Sequence, residues 1–142
     1  MIKEASVADV NNTTTFAKRY KKEKALFTTS EFIEEDFKQC LMESIYSSDT
    51  KVFISEEGDE VRGFLIMSID RVPWNRKQKW ASDILFAAEK DAALLLKRGI
   101  AWAKTKDCWK IFFSNSTGYP QADKFFQLMG LTKVGGQYEY VL

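Results

Sequence analysis

The chain has no histidine, which removes the commonest zinc ligand, the usual base of serine and cysteine hydrolases and the default proton shuttle. Proton chemistry then falls to carboxylates and phenols. Asp83 is the first candidate, because it interrupts the apolar run Lys79 to Phe86, and a carboxylate on a part-buried strand has a raised pKa suited to accepting a proton. Its bland alternative is a solvated sheet edge. Strict alternation puts Asp83 on one side with Ala81 and Leu85 and opposite Ile84. Glu89 beyond the strand, or a water held by Ser82 or Asn115, are the other candidates for a base.

A second constellation mixes charge with rings. Arg71, Arg76, Lys77 and Lys79 are interleaved with Trp74 and Trp80, the residue types that hold phosphates and stack bases. Against a nucleic-acid partner stands the near balance of 21 Lys+Arg with 20 Asp+Glu, since charged loops are usually only solvated. The two cysteines, Cys40 and Cys108, fall on an apolar helix stripe and before an apolar strand, so free thiols are expected rather than a disulfide. Nothing in the composition calls for a metal. No apolar stretch has the length of a secretion signal or a membrane span, so the expected location is the cytoplasm.

The elements that must position these groups follow from periodicity. At 142 residues, with no repeat or linker, residues 1–142 read as one domain. Ile2 to Ala5 is an expected strand, and Ser6 with Asp9 is a capping signal for a helix to about Lys22. Thr28 and Glu31 have capping-box spacing before the stripe Ile33, Phe37, Cys40, Leu41 and Ile45 of a second helix. Lys51 to Ser55 and Val61 to Asp70 predict a hairpin turning at residues 56–60. A basic loop, Arg71 to Lys79, leads to a strand ending at Phe86, then a helix from Lys90 to Thr105 whose Gly99 permits close approach to a sheet. Trp109 to Ser114 predicts a strand, Pro120 starts a helix to Met129 that Gly130 caps, and a last hairpin is expected at Gly135-Gly136.

That order, with the helix Ala92-Ala93-Leu94-Leu95-Leu96-Lys97-Arg98-Gly99-Ile100 after the central strand and the closing segment Phe125 to Gly136, resembles the GNAT superfamily of acyl-CoA-dependent N-acetyltransferases. The resemblance implies an α/β (α+β) fold, a single GNAT-like domain with a mixed central sheet of about six to seven strands and about four helices. It implies acetyl-CoA as cofactor and a small primary amine as substrate, with no metal. The cofactor groove would be lined by Leu85, Phe86, Ala87 and Ala88 at the strand end, Lys90, Ala92 and Ala93 at the helix start, and Asn115 and Phe126 opposite. Asp83 would serve as base and Tyr119 as acid, and Trp74 and Arg76 would border the acceptor groove.

The chemistry matches less well than the fold. Where the family has Arg/Gln-x-x-Gly-x-Gly/Ala, whose glycines let backbone amides approach a pyrophosphate at a helix N-terminus, this chain has Ala87, Lys90 and Ala92. Between Phe64 and Ile100 the only glycine is Gly99. The family's tyrosine, assigned to protonating the departing thiolate, falls on Phe126, which has no proton to give. These departures favour a GNAT-like binding or structural module with weak or no catalysis over an active acetyltransferase. In its length, altered phosphate loop and the strand from Trp109 to Ser116, the chain also resembles short GNAT-like proteins of tailed bacteriophages, which implies a role within or on a virion, or in a host's cytoplasm. The pairs Phe112-Phe113 and Phe125-Phe126 cannot all enter one core, so either a protein partner or a second copy covers some of them, or a two-faced hydrophobic sheet packed by helices takes them up.

Overall fold

The computed structural model describes residues 1–24, 30–115 and 120–142; the expected capping residue Thr28 and the candidate acid Tyr119 lie outside them. The order is β1 (Ile2–Glu4), α1 (Val10–Lys24), α2 (Glu34–Tyr46), β2 (Thr50–Glu57), β3 (Glu60–Val72), β4 (Asn75–Ala88), α3 (Ala92–Thr105), β5 (Lys110–Phe112) and α4 (Pro120–Leu128). The strands form one sheet in the order β1-β2-β3-β4-β5. The first four are antiparallel, and β5 joins β4 in parallel after the α3 crossover.

The entry to α1 is built as its sequence signals. Ser6 N–H and Oγ both donate to Asp9 Oδ2, at 2.8 and 3.1 Å, which satisfies groups at the start of the helix. Thr13, Thr14 and Thr15, poor helix formers by rank, are accommodated because each hydroxyl donates to the carbonyl four residues earlier, at 2.8, 2.7 and 3.1 Å. In α2 the stripe buries Phe37 and Leu41 and half-buries Cys40 and Ile45, but Ile33 stands at the N-cap, half exposed.

Alternation along β3 fills two cores. Phe64 and Ile66 pack with Phe16, Phe37 and Leu41 under α1 and α2. Leu65 and Met67 point the other way and meet Leu95 and Trp102 of α3. Each fully buried side chain of this size contributes about 1.5–3 kcal/mol relative to exposure, so the two layers fix the sheet between the helices. Gly99 is what lets α3 seat: a Cβ there would lie 2.8 Å from Leu65 Cδ2.

Three expectations are corrected. The basic segment after Arg71 is not a loop: Val72 pairs with Asn75 across a tight Pro73-Trp74 turn, and the cations continue up β4. The sheet has five strands among the described residues, fewer than expected. The hairpin at Gly135-Gly136 does not form, and residues 131–142 contain no strand. An alternating pattern makes a strand only where a neighbour receives its ladder and one of its faces, whereas Val134, Tyr138, Tyr140 and Leu142 are solvent-exposed.

Candidate functional site

The site is organised by a break in register on β4. Ile66 pairs with Leu85, yet the next residue, Met67, pairs with Asp83, so Ile84 is an extra, unpaired residue, 45% exposed. Such a bulge reverses side-chain parity. Asp83 therefore shares the α3 side with Ala81 and Met67, as alternation predicts, but Leu85 packs into the core under α1 and α2, which corrects its expected place beside Asp83. Phe86 and Ala88 take the α3 side and Ala87 the other.

Just past this point β4 and β5 part. Their ladder runs from Trp80–Lys110 to Ser82–Phe112, and beyond it the carboxylate of Asp83 substitutes for the next backbone acceptor: Ser114 N–H donates to Asp83 Oδ1 at 3.0 Å. Burial pushes the Asp83 carboxyl up from 3.8 to about 6, against the opposing pull of the Ser114 hydrogen bond. The carboxyl is thus half-buried rather than at a solvated edge. Asn115, next along, donates from Nδ2 to Asp123 Oδ1 at 3.0 Å, and Lys133 Nζ reaches Asp123 Oδ2 at 3.1 Å, so β5 is tied to α4. Both contacts hold the Asp123 carboxyl below its usual range.

Between the parting strands lies an aromatic cluster. Phe86 of β4, Phe113 after β5 and Phe126 of α4 meet with ring centroids 6.1, 6.5 and 5.8 Å apart, the last pair stacked, and Phe125 packs on Phe86 and Phe126. All four rings are half-buried. These positions account for the paired phenylalanines of the last third by local packing.

The turn into α3 occupies residues 89–91. Glu89 and Lys90 N–H groups both donate to the Arg62 carbonyl, at 2.9 and 3.3 Å, extending the β3–β4 ladder. Asp91 takes the left-handed region at φ 62, and Ser55 Oγ donates to its Oδ2 at 2.7 Å. Leu95 N–H makes the first helical bond, to Asp91 O at 2.9 Å, so the amides of Ala92, Ala93 and Leu94 form the donor end of the helix. Lys90 Nζ pairs with Glu57. Glu89 is clamped between Arg19 and Arg62, and the Arg19 guanidinium first, then Arg62, holds its carboxyl below the usual range. A carboxylate so paired is a poor proton acceptor. A cavity of about 480 Å³ adjoins this clamp, between α1 and the β2–β3 turn, and includes Asn12, Asp59 and Glu89.

The structure thus gathers Asp83, Phe86 and Phe126 with Asn115 at the parting of β4 and β5, and places Lys90, Ala92 and Ala93 at the α3 turn. Ser114, Arg62 and Ser55 were missed by sequence reasoning; each meets its partner from 27 to 36 residues away, and no local pattern announces it. Among the described residues no cluster of His, Cys, Asp or Glu could hold a metal ion, and no helix is long and apolar enough to cross a membrane.

No family model matches the sequence, and no curated protein matches it. Solved structures do match in shape. A transcriptional regulator from Bacillus halodurans superposes with a TM-score of 0.81 at 14% identity, covering 100% of this chain and 99% of that one. A predicted acetyltransferase from Clostridium acetobutylicum, determined with acetyl-CoA, gives 0.78 at 13%, covering 99% and 95%. Glucosamine-6-phosphate N-acetyltransferase from Arabidopsis thaliana gives 0.76 at 13%, covering 99% and 97%. Likeness at this identity is likeness of fold: the chain has a GNAT-like α/β fold.

Proposed function

From the GNAT-like fold as premise, we propose that this protein is a binding or structural module that keeps the acetyltransferase scaffold with weak or no acyl transfer. The observation that carries this reading is the parting of β4 and β5, where Phe86, Phe113 and Phe126 pack on one another and Asp83 bridges to Ser114. An acyl-CoA lying there would have to displace mutually packed rings, each pair of which contributes about 0.5–1.5 kcal/mol beyond its buried area. The turn before α3 supports the same reading. Two of its amides donate to Arg62 O, and Glu89 and Asp91 bring carboxylates beside the helix start, a poor setting for a pyrophosphate. On these residues acetyl-CoA does not fit well. The partner proposed is a protein or a second copy, and the virion- or assembly-associated role implied by the phage resemblance is part of this proposal.

A second reading, acetyl-CoA-dependent transfer to a primary amine, is favoured by Asp83, a carboxyl raised to about 6 at the bulge, and by the donor amides at the start of α3. Calorimetric titration with acetyl-CoA and with CoA at low salt, where a weak phosphate contact is not screened, separates the two. The module reading expects no heat up to about millimolar ligand, roughly −4 kcal/mol of binding. Micromolar binding overturns it and makes a screen of acceptor amines the next step.

A further inference from the structure

The near-neutral net charge speaks against a polyanionic partner only if charge is spread evenly, and it is not. Some cations elsewhere sit in ion pairs, such as Lys3 with Asp9 and Glu56, Arg19 and Arg62 with Glu89, Lys90 with Glu57 and Lys18 with Glu34, and others, such as Lys21, Lys22 and Lys97, form none among the described residues. What sets the hairpin apart is a run of cations without carboxylates beside exposed rings. From Arg71 to Ser82 the sequence has four cations and no carboxylate, so the remainder of the chain is net acidic. None of Arg71, Arg76, Lys77 and Lys79 forms an ion pair among the described residues, and Lys110 on the adjoining β5 forms none either. Arg71 instead donates to the Arg76 carbonyl at 2.9 Å, bracing the hairpin.

The same hairpin displays a ring that the fold supports but does not bury. Trp74, in the tight turn after Pro73, is 76% exposed. It meets Trp80 edge-on at 5.7 Å, and Trp80 meets Phe112 edge-on at 5.7 Å. Two rings thus hold an exposed indole in place, and proline fixes one backbone angle of the turn. A side chain ordered before binding loses little entropy when a ligand arrives. Just before β5, Trp109, whose N–H donates to the Lys79 carbonyl at 2.7 Å, is 48% exposed with Lys110 Nζ 4.5 Å from its ring centroid, a second pairing of ring and cation.

We propose that the β3–β4 hairpin is a binding surface for single-stranded nucleic acid. Trp74 stacks on a base, and Arg76, Lys77 and Lys79 contact the phosphates that flank it. An acidic peptide matches the cations but offers no flat face to the indole, and a duplex hides its base faces within the stack, whereas a single strand presents both phosphates and faces at each nucleotide. The surface is separate from the α3 turn and the Phe86 cluster, so it stands whether or not acetyl-CoA binds.

The test is fluorescence anisotropy of a labelled oligothymidine of about twelve nucleotides, titrated with the full chain from about 20 to 200 mM salt. Binding is expected at low salt, with a log–log salt slope of about −2 to −3, as three or four phosphate contacts on a single strand require. The triple variant R76Q/K77Q/K79Q weakens binding by at least about tenfold and flattens the slope. Trp74→Ala weakens it by roughly tenfold and leaves the slope intact. K21Q/K22Q, near the end of α1 and at the opposite end of β4 from the hairpin, changes neither, and melting curves confirm that each variant is folded. Absence of binding at the lowest salt overturns the proposal. So does Trp74→Ala binding as wild type does, or oligoglutamate competing as well as unlabelled oligothymidine, which would indicate an acidic protein partner.

Discussion

The backbone N–H of Ser114 donates to the Asp83 carboxylate at 3.0 Å, on the far side of the last ladder pair between β4 and β5. A side chain from one strand therefore takes over where the backbone of that strand has turned away at its bulge. The contact ties the two strands together at their parting and places a hydrogen bond on a half-buried carboxyl whose pKa burial raises.

Replacing Asp83 by asparagine is expected to stabilise the protein at neutral pH. Burial raises the folded carboxyl to about 6 from an ordinary 3.8, so the folded state binds more protons than the unfolded one between those values, and stability contributed by this group is lost as pH rises through that window. At about 1.36 kcal/mol per unit, Asp83→Asn gains roughly 2–3 kcal/mol at pH 7.5 and nothing at pH about 3.5. Urea denaturation of both proteins at the two pH values checks this; an equal difference at both refutes the burial argument.

Glu89→Gln is expected to act in the opposite sense. The Arg19 and Arg62 partners hold Glu89 ionised below the usual carboxylate range, so the clamp contributes fully above the ordinary glutamate value and is lost as pH falls below it. The substitution costs about 1 kcal/mol at pH 7 in low salt, a typical size for a partly screened pair. That loss shrinks in high salt and vanishes in acid, which thermal melts will show.

Gly99→Ala tests the seating of α3. The added carbon would stand 2.8 Å from Leu65 Cδ2, a fully buried side chain with little room to turn. Overpacking costs about 1–3 kcal/mol, of which up to about 1 is returned by alanine's better helix propensity. A net loss of about 1–2 kcal/mol in a urea titration is expected, and a gain would mean that Leu65 repacks freely.

Lys90→Gly combined with Phe126→Tyr tests the proposed loss of function. It removes the Lys90–Glu57 pair at the α3 turn and supplies a phenol in the aromatic cluster. Acetyl-CoA affinity or turnover is expected to rise by about tenfold, equivalent to 1.4 kcal/mol. If the unaltered protein binds tightly and the double variant binds more weakly, the assignment of these positions is wrong.

Much of the scaffold was legible because its causes are local. The Ser6–Asp9 cap, the Phe37–Leu41 stripe, the turn at Gly58 and the close approach at Gly99 each need only neighbours in sequence, or one face of a helix meeting a sheet. The site was less legible. Leu85 was assigned to the face of Asp83 because alternation assumes an unbroken strand, and a bulge at Ile84 leaves no mark in the residue types. The last hairpin failed for the related reason that Tyr138 and Tyr140 alternate correctly but have no strand beside them.

By itself the sequence determined the existence and order of the elements through α4, though not where β4 begins, and the resemblance in fold to acetyltransferases, since periodicity and volume specify which side of each element seeks a core. Only the tertiary structure decided that Asp83 meets Ser114, that Glu89 is clamped by two arginines rather than free to take a proton, and that Trp74 stands exposed against Trp80 beside the hairpin cations. Those pairings are set by how strands register and part, and a charge or carboxyl acquires its chemistry from the neighbours that folding brings to it.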